Sequence, residues 1–217
     1  MIEPISSTEH KLSFLLNLRR RGIRDLDLLR AFETVNRKLF LDRRYHDLAA
    51  SDISLPIECG QSQTAPSLIA TMINLLEVRQ SNRVLEIGTG SGYSAAILGT
   101  LAKYVVSVER FKSLALGARV RLANLLIEKV TVVVDDGRDG LPLQGPFDRI
   151  VFTGSISEVT DGHLRQLSPE GILVAVEFAS GTPLLCRYRK GVNTFHSPEI
   201  IGPFPMVPLI PGISISL

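Results

Sequence analysis

Cysteine is scarce in this 217-residue chain: Cys59 and Cys186 stand far apart and form no C-x-x-C pair. Neither a disulfide framework nor a zinc site is indicated, and the shortage suits a reducing cytoplasm, which is the expected location. Histidine is scarce too. His10, His46, His163 and His196 show neither ligand nor triad spacing, so surface or structural roles are expected for them and no metal site. An excess of one charge is also missing. The 24 Lys plus Arg against 22 Asp plus Glu leave a net charge of +2, which supplies no general attraction for nucleic acid or a membrane surface. Long apolar runs are absent. The first apolar stretch, Leu12 to Leu18, is interrupted by Ser13 and Asn17 and followed by Arg19, Arg20 and Arg21. With its opening Met1-Ile2-Glu3-Pro4-Ile5 the chain is read as carrying neither signal peptide nor membrane span. The three arginines read as cations at the carbonyl end of a helix, because no aromatics interleave them as in a nucleic-acid patch.

What is present is 45% hydrophobic residues, enough to bury a sizeable core in one globular unit without repeats or linkers. Helical spacing from Leu12 to Phe40 predicts two helices separated at Gly22-Ile23. Residues Leu41 to Ser67 lack periodicity, and a long irregular segment of this kind is usually functional. A helix is predicted over Ser67 to Leu76. The pattern then alternates: strand Arg83 to Ile87, helix Tyr93 to Leu101, strand Val105 to Glu109, helix Lys112 to Leu126, strand Val130 to Val134, strand Asp148 to Thr153, and a helix running to about Leu167. Ser168-Pro169-Glu170-Gly171 turns into a strand from Ile172 to Phe178. Such alternation means βαβ units, an α/β fold with a doubly wound, mostly parallel, Rossmann-like sheet. Leu184 to Tyr188 and Val192 to Phe195 flank Lys190-Gly191 as a predicted hairpin, so the sheet should end in antiparallel strands. The Pro-rich tail, Pro203 to Pro211, carries apolar residues that should pack as an irregular surface segment.

The strongest chemical signal is Val84-Leu85-Glu86-Ile87-Gly88-Thr89-Gly90-Ser91-Gly92-Tyr93, a buried strand entering a glycine turn that opens a helix. Glycines there let the backbone approach a ligand at the carboxyl edge of the sheet. Glu109 ends the next strand about 20 residues on, the spacing at which a carboxylate reaches ribose hydroxyls. A dinucleotide fingerprint reads G-x-G-x-x-G and aims helix amides at a pyrophosphate; this chain reads G-x-G-x-G, preceded by Glu86. A carboxylate there repels a pyrophosphate and suits an ammonium group, which favours S-adenosylmethionine. No Gly-Lys-Ser/Thr follows, which excludes a P-loop. Thr89 stands where a hydrolase elbow centred on Ser91 needs glycine. Asp136-Gly137 follows the third strand, where a carboxylate can meet an adenine amino group. Cys59 has no histidine partner and is not read as a nucleophile.

In order, Leu55-Pro56-Ile57, Gly60-Gln61, Ala65-Pro66, Val84 to Tyr93, Val108-Glu109-Arg110, Asp136-Gly137, Pro146-Phe147-Asp148, Leu167 to Gly171 and Val207-Pro208-Leu209 resemble protein-L-isoaspartate O-methyltransferases over roughly residues 12 to 212. The resemblance implies a seven-stranded sheet with one reversed strand. It implies a cytoplasmic enzyme that methylates the free carboxylate of isoaspartyl residues in damaged proteins; a monomer is expected, and the balanced charge and short apolar runs leave neither nucleic acid nor membrane as a partner. It implies S-adenosyl-L-methionine as cofactor, leaving as S-adenosyl-L-homocysteine, on Glu86, Gly88, Gly90, Gly92, Glu109, Asp136 and Gly137. Thr64 takes the place of the family's active-site hydroxyl, with Ser62 beside it; Gln61, Ala65, Pro66, Val207 and Leu209 fall on the substrate side. Residues 1–66 would then hold the N-terminal helices and active-site loop, 67–178 the cofactor-binding core, and 179–217 the C-terminal hairpin and substrate-side tail. The family loop usually reads Gly-Gln-Thr-Ile-Ser-x-Pro, whereas Ser62, Gln63 and Thr64 replace its Thr, Ile and Ser. Pro205-Met206 stands where the family usually has Arg-Phe. Two alternatives stay open: a methyltransferase for another acceptor, and a non-catalytic S-adenosylmethionine-binding protein.

Overall fold

The computed structural model describes residues 7–178, 181–191, 194 and 197–214. Helix α1 (Ser7–Arg20) ends at its arginines, and the chain breaks before α2 (Leu26–Thr34). Asp25 caps α2 by accepting the amide hydrogens of Asp27 at 2.9 Å and Leu28 at 3.0 Å, which satisfies donors the helix leaves orphaned. Two short 3-10 turns, Arg37–Phe40 and Arg43–Leu48, lead into a two-residue antiparallel pair, β1 (Leu55–Pro56) with β2 (Ser62–Gln63). Pro66 then occupies the first turn of α3 (Pro66–Leu76), where its missing N–H costs nothing.

The alternating pattern folds as predicted: β3 (Arg83–Ile87), α4 (Tyr93–Leu101), β4 (Tyr104–Glu109), α5 (Lys112–Asn124), β5 (Val130–Val134), β6 (Phe147–Ile156), α6 (Asp161–Arg165), β7 (Leu167–Glu177), β8 (Leu184–Arg189) and β9 (Glu199–Pro203). They form a seven-stranded sheet in the order β5-β4-β3-β6-β7-β8-β9. β3 through β7 are parallel, and β8 alone is reversed between β7 and β9.

Side chains alternate between two cores. Val84, Val105, Val151, Ile172, Val174 and Val176 face the helices α1 to α5, while Leu85, Val106, Ile150, Phe152 and Leu173 face the opposite layer. Both faces are therefore apolar, which is why the strands read as nearly continuous hydrophobic runs. The chain runs outward from β3 to β5 and then returns to place β6 on the other side of β3. This leaves a switch point at the carboxyl ends of β3 and β6, where open α/β sheets bind ligands.

Two sequence expectations differ in detail. The Ser168 to Gly171 turn is an interruption inside β7: Phe147 pairs with Leu167 and Arg149 with Ile172, leaving the residues between as a bulge with Glu170 at φ +60°. The partner of β8 is β9 rather than Val192 to Phe195; Val192, Phe195 and His196 lie outside the described residues, as do Met1 to Ile5. The tail crosses the end of β6, where Ser155 donates its amide to the Val207 carbonyl and accepts that of Leu209, both at 2.8 Å.

Candidate functional site

Two residues of strand cannot hold a loop by ladder bonds alone, and one of the four, Pro56, has no N–H. The orientation of this loop comes from alternation. Gln63 points inward and is buried, so Ser62 and Thr64 on either side are turned to the cleft beside the glycine turn. Gln61 lines the same wall. Thr64 Oγ1 lies 3.9 Å from Met206 Sδ, which brings the tail against the loop. Ala65 and Pro66 are buried at the start of α3, behind this wall.

The glycine turn follows from the backbone it must adopt. Gly88 has φ +100°, and a Cβ there would run into Thr153 Oγ1, which itself donates to the carbonyls of Ile87 and Gly88 at 2.8 and 2.5 Å. Only glycine fits. Gly90 opens to the cleft, whereas Gly92 caps α4 and lies against Ala118 of α5. Glu109, at the end of β4, accepts the amide hydrogens of Gly90 at 2.8 Å and Phe111 at 2.9 Å. Burial pushes its pKa above the ordinary value, against the opposing pull of those amides.

Glu86 goes elsewhere. Strand register sets it opposite Ser107, and it is 0% exposed, with Ser94 Oγ and Ser107 Oγ each donating to its carboxylate at 2.5 Å. Burial raises its pKa to about 7, the two serine bonds opposing. It borders a small cavity behind Thr64 together with Ser94, Ile69 and Met206.

On the far wall Asp136 precedes a 3-10 turn and accepts the amides of Arg138 at 3.1 Å and Gly212 at 2.7 Å. Partial burial works against it, yet these amides and the Arg138 guanidinium keep its pKa below the ordinary value. A Cβ on Gly137 would stand 2.7 Å from Ile87, so the turn closes over the end of β3. The resulting cleft, about 740 Å³ with its open solvent, is walled by the loop, the glycine turn, Glu109, Asp136-Gly137 and the tail at Val207 and Leu209. Arg110 and Arg138 also line it, but Arg110 bonds the carbonyls of Pro211 and Gly212, and Arg138 pairs with Asp136.

This donor set fits S-adenosylmethionine. Two carboxylates can accept from hydroxyl and amino groups of an adenosine, and the glycine turn gives it room. A pyrophosphate has no such fit, because the Gly90 amide is already taken by Glu109. Among the described residues no group of His, Cys, Asp and Glu could hold a metal ion. Cys59 Sγ lies 3.2 Å from Ser113 Oγ. His163 is buried, bonding the Arg138 carbonyl at 2.6 Å and the Thr160 amide at 3.0 Å, a structural placement.

Sequence reasoning brought Thr64, Ser62, Gln61, Gly88, Gly90, Glu109, Asp136, Gly137, Val207 and Leu209 to one cleft, and the structure places them there. It missed Thr153, which the rule of strand carboxyl ends would have found. It also missed Arg37, Ser91 and the inward role of Gln63, for which the sequence carries no local signal.

The sequence profile of the protein-L-isoaspartate(D-aspartate) O-methyltransferase family matches residues 9–210. Protein-L-isoaspartate O-methyltransferase 2 of Rhodopseudomonas palustris is 42% identical over 215 residues, 99% of both chains. The protein-L-isoaspartate O-methyltransferase of Azorhizobium caulinodans is 39% identical over the same share of each. A solved protein-L-isoaspartate O-methyltransferase superposes with a TM-score of 0.84 at 25% identity, covering 94% of this chain and 67% of that one. A Plasmodium falciparum protein solved with S-adenosyl-L-homocysteine shares the fold at a TM-score of 0.78 and 23% identity, covering 93% of this chain and 98% of its own.

Proposed function

This chain belongs to the protein-L-isoaspartate(D-aspartate) O-methyltransferase family, and from that premise we propose how its residues divide the reaction. The enzyme transfers a methyl group from S-adenosylmethionine to the free carboxylate of L-isoaspartyl residues in damaged proteins. Bound S-adenosylmethionine supplies an electrophilic methyl on a sulfonium. In our reading Gly88 and Gly90 give it space, Glu109 accepts its ribose hydroxyls, and Asp136 with Gly137 meets the adenine. Glu86 holds the floor of the turn from beneath, and Gly92 seats α4 against α5.

The acceptor carboxylate is already ionised near neutral pH, so the chain needs no general base. Its task is alignment, which for a bimolecular step is a large share of the barrier. Thr64 and Ser62 orient the acceptor, Gln61 flanks it, and Val207 with Leu209 forms the opposite wall for the peptide. Ala65 and Pro66 contribute by starting α3 at the end of the loop. The observation that carries this division is that the hydroxyl loop and three consecutive strand ends, at Gly88, Glu109 and Asp136, share one cleft.

We read residues 1–217 as one methyltransferase domain, with 1–66 carrying the loop, 67–178 the cofactor core and 179–217 the substrate-side tail. We further propose that it works as a monomer in the cytoplasm on protein substrates, without nucleic acid or a membrane surface. The near-balanced charge supplies no general attraction for nucleic acid or a charged membrane surface, and no helix among the described residues is long and apolar enough to cross a membrane. The test is incubation with methyl-labelled S-adenosylmethionine and two peptides differing only in one isoaspartyl or aspartyl linkage. Base-labile methyl ester on the isoaspartyl peptide alone is the expected result; label on neither would redirect the search to other acceptors.

A further inference from the structure

Arg37 is buried, and among the described residues no carboxylate stands in ion-pair contact with it, an expensive position for a cation unless its nitrogens are hydrogen-bonded. Each nitrogen is bonded: Nη1 to the Ser51 carbonyl at 2.9 Å, Nη2 to the Ile53 carbonyl at 2.8 Å, and Nε to the Gln63 Oε1 at 2.5 Å. Burial lowers its pKa to about 10, so it stays charged at neutral pH. Gln63 passes the connection on. Its Nε2 donates to the Phe40 carbonyl at 3.2 Å and to Ser91 Oγ at 2.8 Å. Ser91 sits in the glycine turn, next to the Gly90 amide that Glu109 holds.

A side-chain relay thus runs from Arg37 through Gln63 to Ser91. It joins the loop that presents Ser62 and Thr64 to the turn that Glu109 grips, across 28 residues of sequence. The two-residue pairing of β1 with β2 is too short to set that distance by itself. We propose that Arg37 and Gln63 are positioning residues for methyl transfer: the relay fixes where the acceptor hydroxyls stand relative to the cofactor turn. This rests on the functional reading given above. Because the relay touches neither reactant, its loss moves the acceptor side and leaves the carboxylates of the cofactor side in place.

The test compares Gln63→Met, Ser91→Ala and the double variant in the full chain. Gln63→Met keeps length and removes the hydrogen bonds of the side-chain amide. Each single variant is expected to lower kcat or raise the KM for an isoaspartyl peptide by about tenfold. The dissociation constant for S-adenosylhomocysteine should move less than about threefold. The double variant should be no worse than Gln63→Met, because both break one connection. Amide hydrogen exchange over residues 61–65, measured without substrate, should quicken in Gln63→Met while the strands of the sheet stay protected. Wild-type kcat and KM in both single variants, additive losses, or cofactor affinity falling in step with turnover would overturn the proposal. Exchange at 61–65 unchanged in Gln63→Met would do so as well. If the unaltered protein labels no isoaspartyl peptide, the functional reading has failed, and the exchange measurement still decides whether the relay holds the loop.

Discussion

Glu109 Oε2 accepts the Gly90 amide hydrogen across 2.8 Å, so a carboxylate ending one strand holds open the glycine turn that ends its neighbour. The same group is assigned to the ribose, and its other oxygen accepts from Phe111. Glu109→Gln leaves one acceptor oxygen where there were two. Charged hydrogen bonds are worth about 1.5–3 kcal/mol, so the dissociation constant for S-adenosylhomocysteine should rise about 10- to 100-fold by calorimetry. Unaltered affinity would take Glu109 out of the ribose site.

Thr64 is assigned to the acceptor rather than the cofactor. Thr64→Val preserves the branched shape and deletes the hydroxyl, and turnover of an isoaspartyl peptide should fall about tenfold or more. Cofactor affinity should hold. Full turnover in this variant would move the acceptor contact to Ser62.

Gly88 has no tolerance for a side chain, since a Cβ meets Thr153 Oγ1 and φ is +100°. Gly88→Ala should destabilise the fold by more than about 1 kcal/mol and weaken the cofactor together with it. A denaturation midpoint equal to that of the unaltered protein would show that the turn can move aside.

Glu86 predicts a pH dependence. Its pKa rises from 4.5 to about 7 because burial disfavours the charged form, with Glu109 adding repulsion. Between those values the unfolded chain has released a proton that the native state keeps, so stability falls as pH rises through this window and the loss is complete above it. Glu86→Gln cannot ionise. Its melting temperature relative to the unaltered protein should therefore climb from about pH 5 to about pH 8, by the equivalent of a few kcal/mol at most. A difference that stays flat with pH would mean that Glu86 is charged throughout.

The cofactor half of the cleft was legible because it is local. A buried strand, a glycine turn and a helix follow one another from Val84 to Leu101, and the next two strands end in Glu109 and Asp136, so parallel pairing brings all three ends to one edge. Glu86 shows the limit of such reading. It stands two residues before Gly88, yet alternation sends it to the helix-covered face opposite Ser107, a partner with no motif of its own. The partner of β8 is illegible in the sequence for a related reason: a Lys-Gly turn marks a reversal, but which later segment completes the sheet depends on the edge that β8 offers.

Residue pattern alone determined the layered α/β sheet, the glycine turn and the carboxylates at its edge, because period-two and period-3.6 burial and turn chemistry are properties of neighbouring residues. Tertiary structure decided what holds the acceptor loop. Gln63 faces inward only because Arg37, from a 3-10 turn, and Ser91, from the glycine turn, are folded to either side of it. Bonds spanning 26 and 28 residues leave no periodicity in the sequence, since their partners become neighbours only when the chain has closed its core.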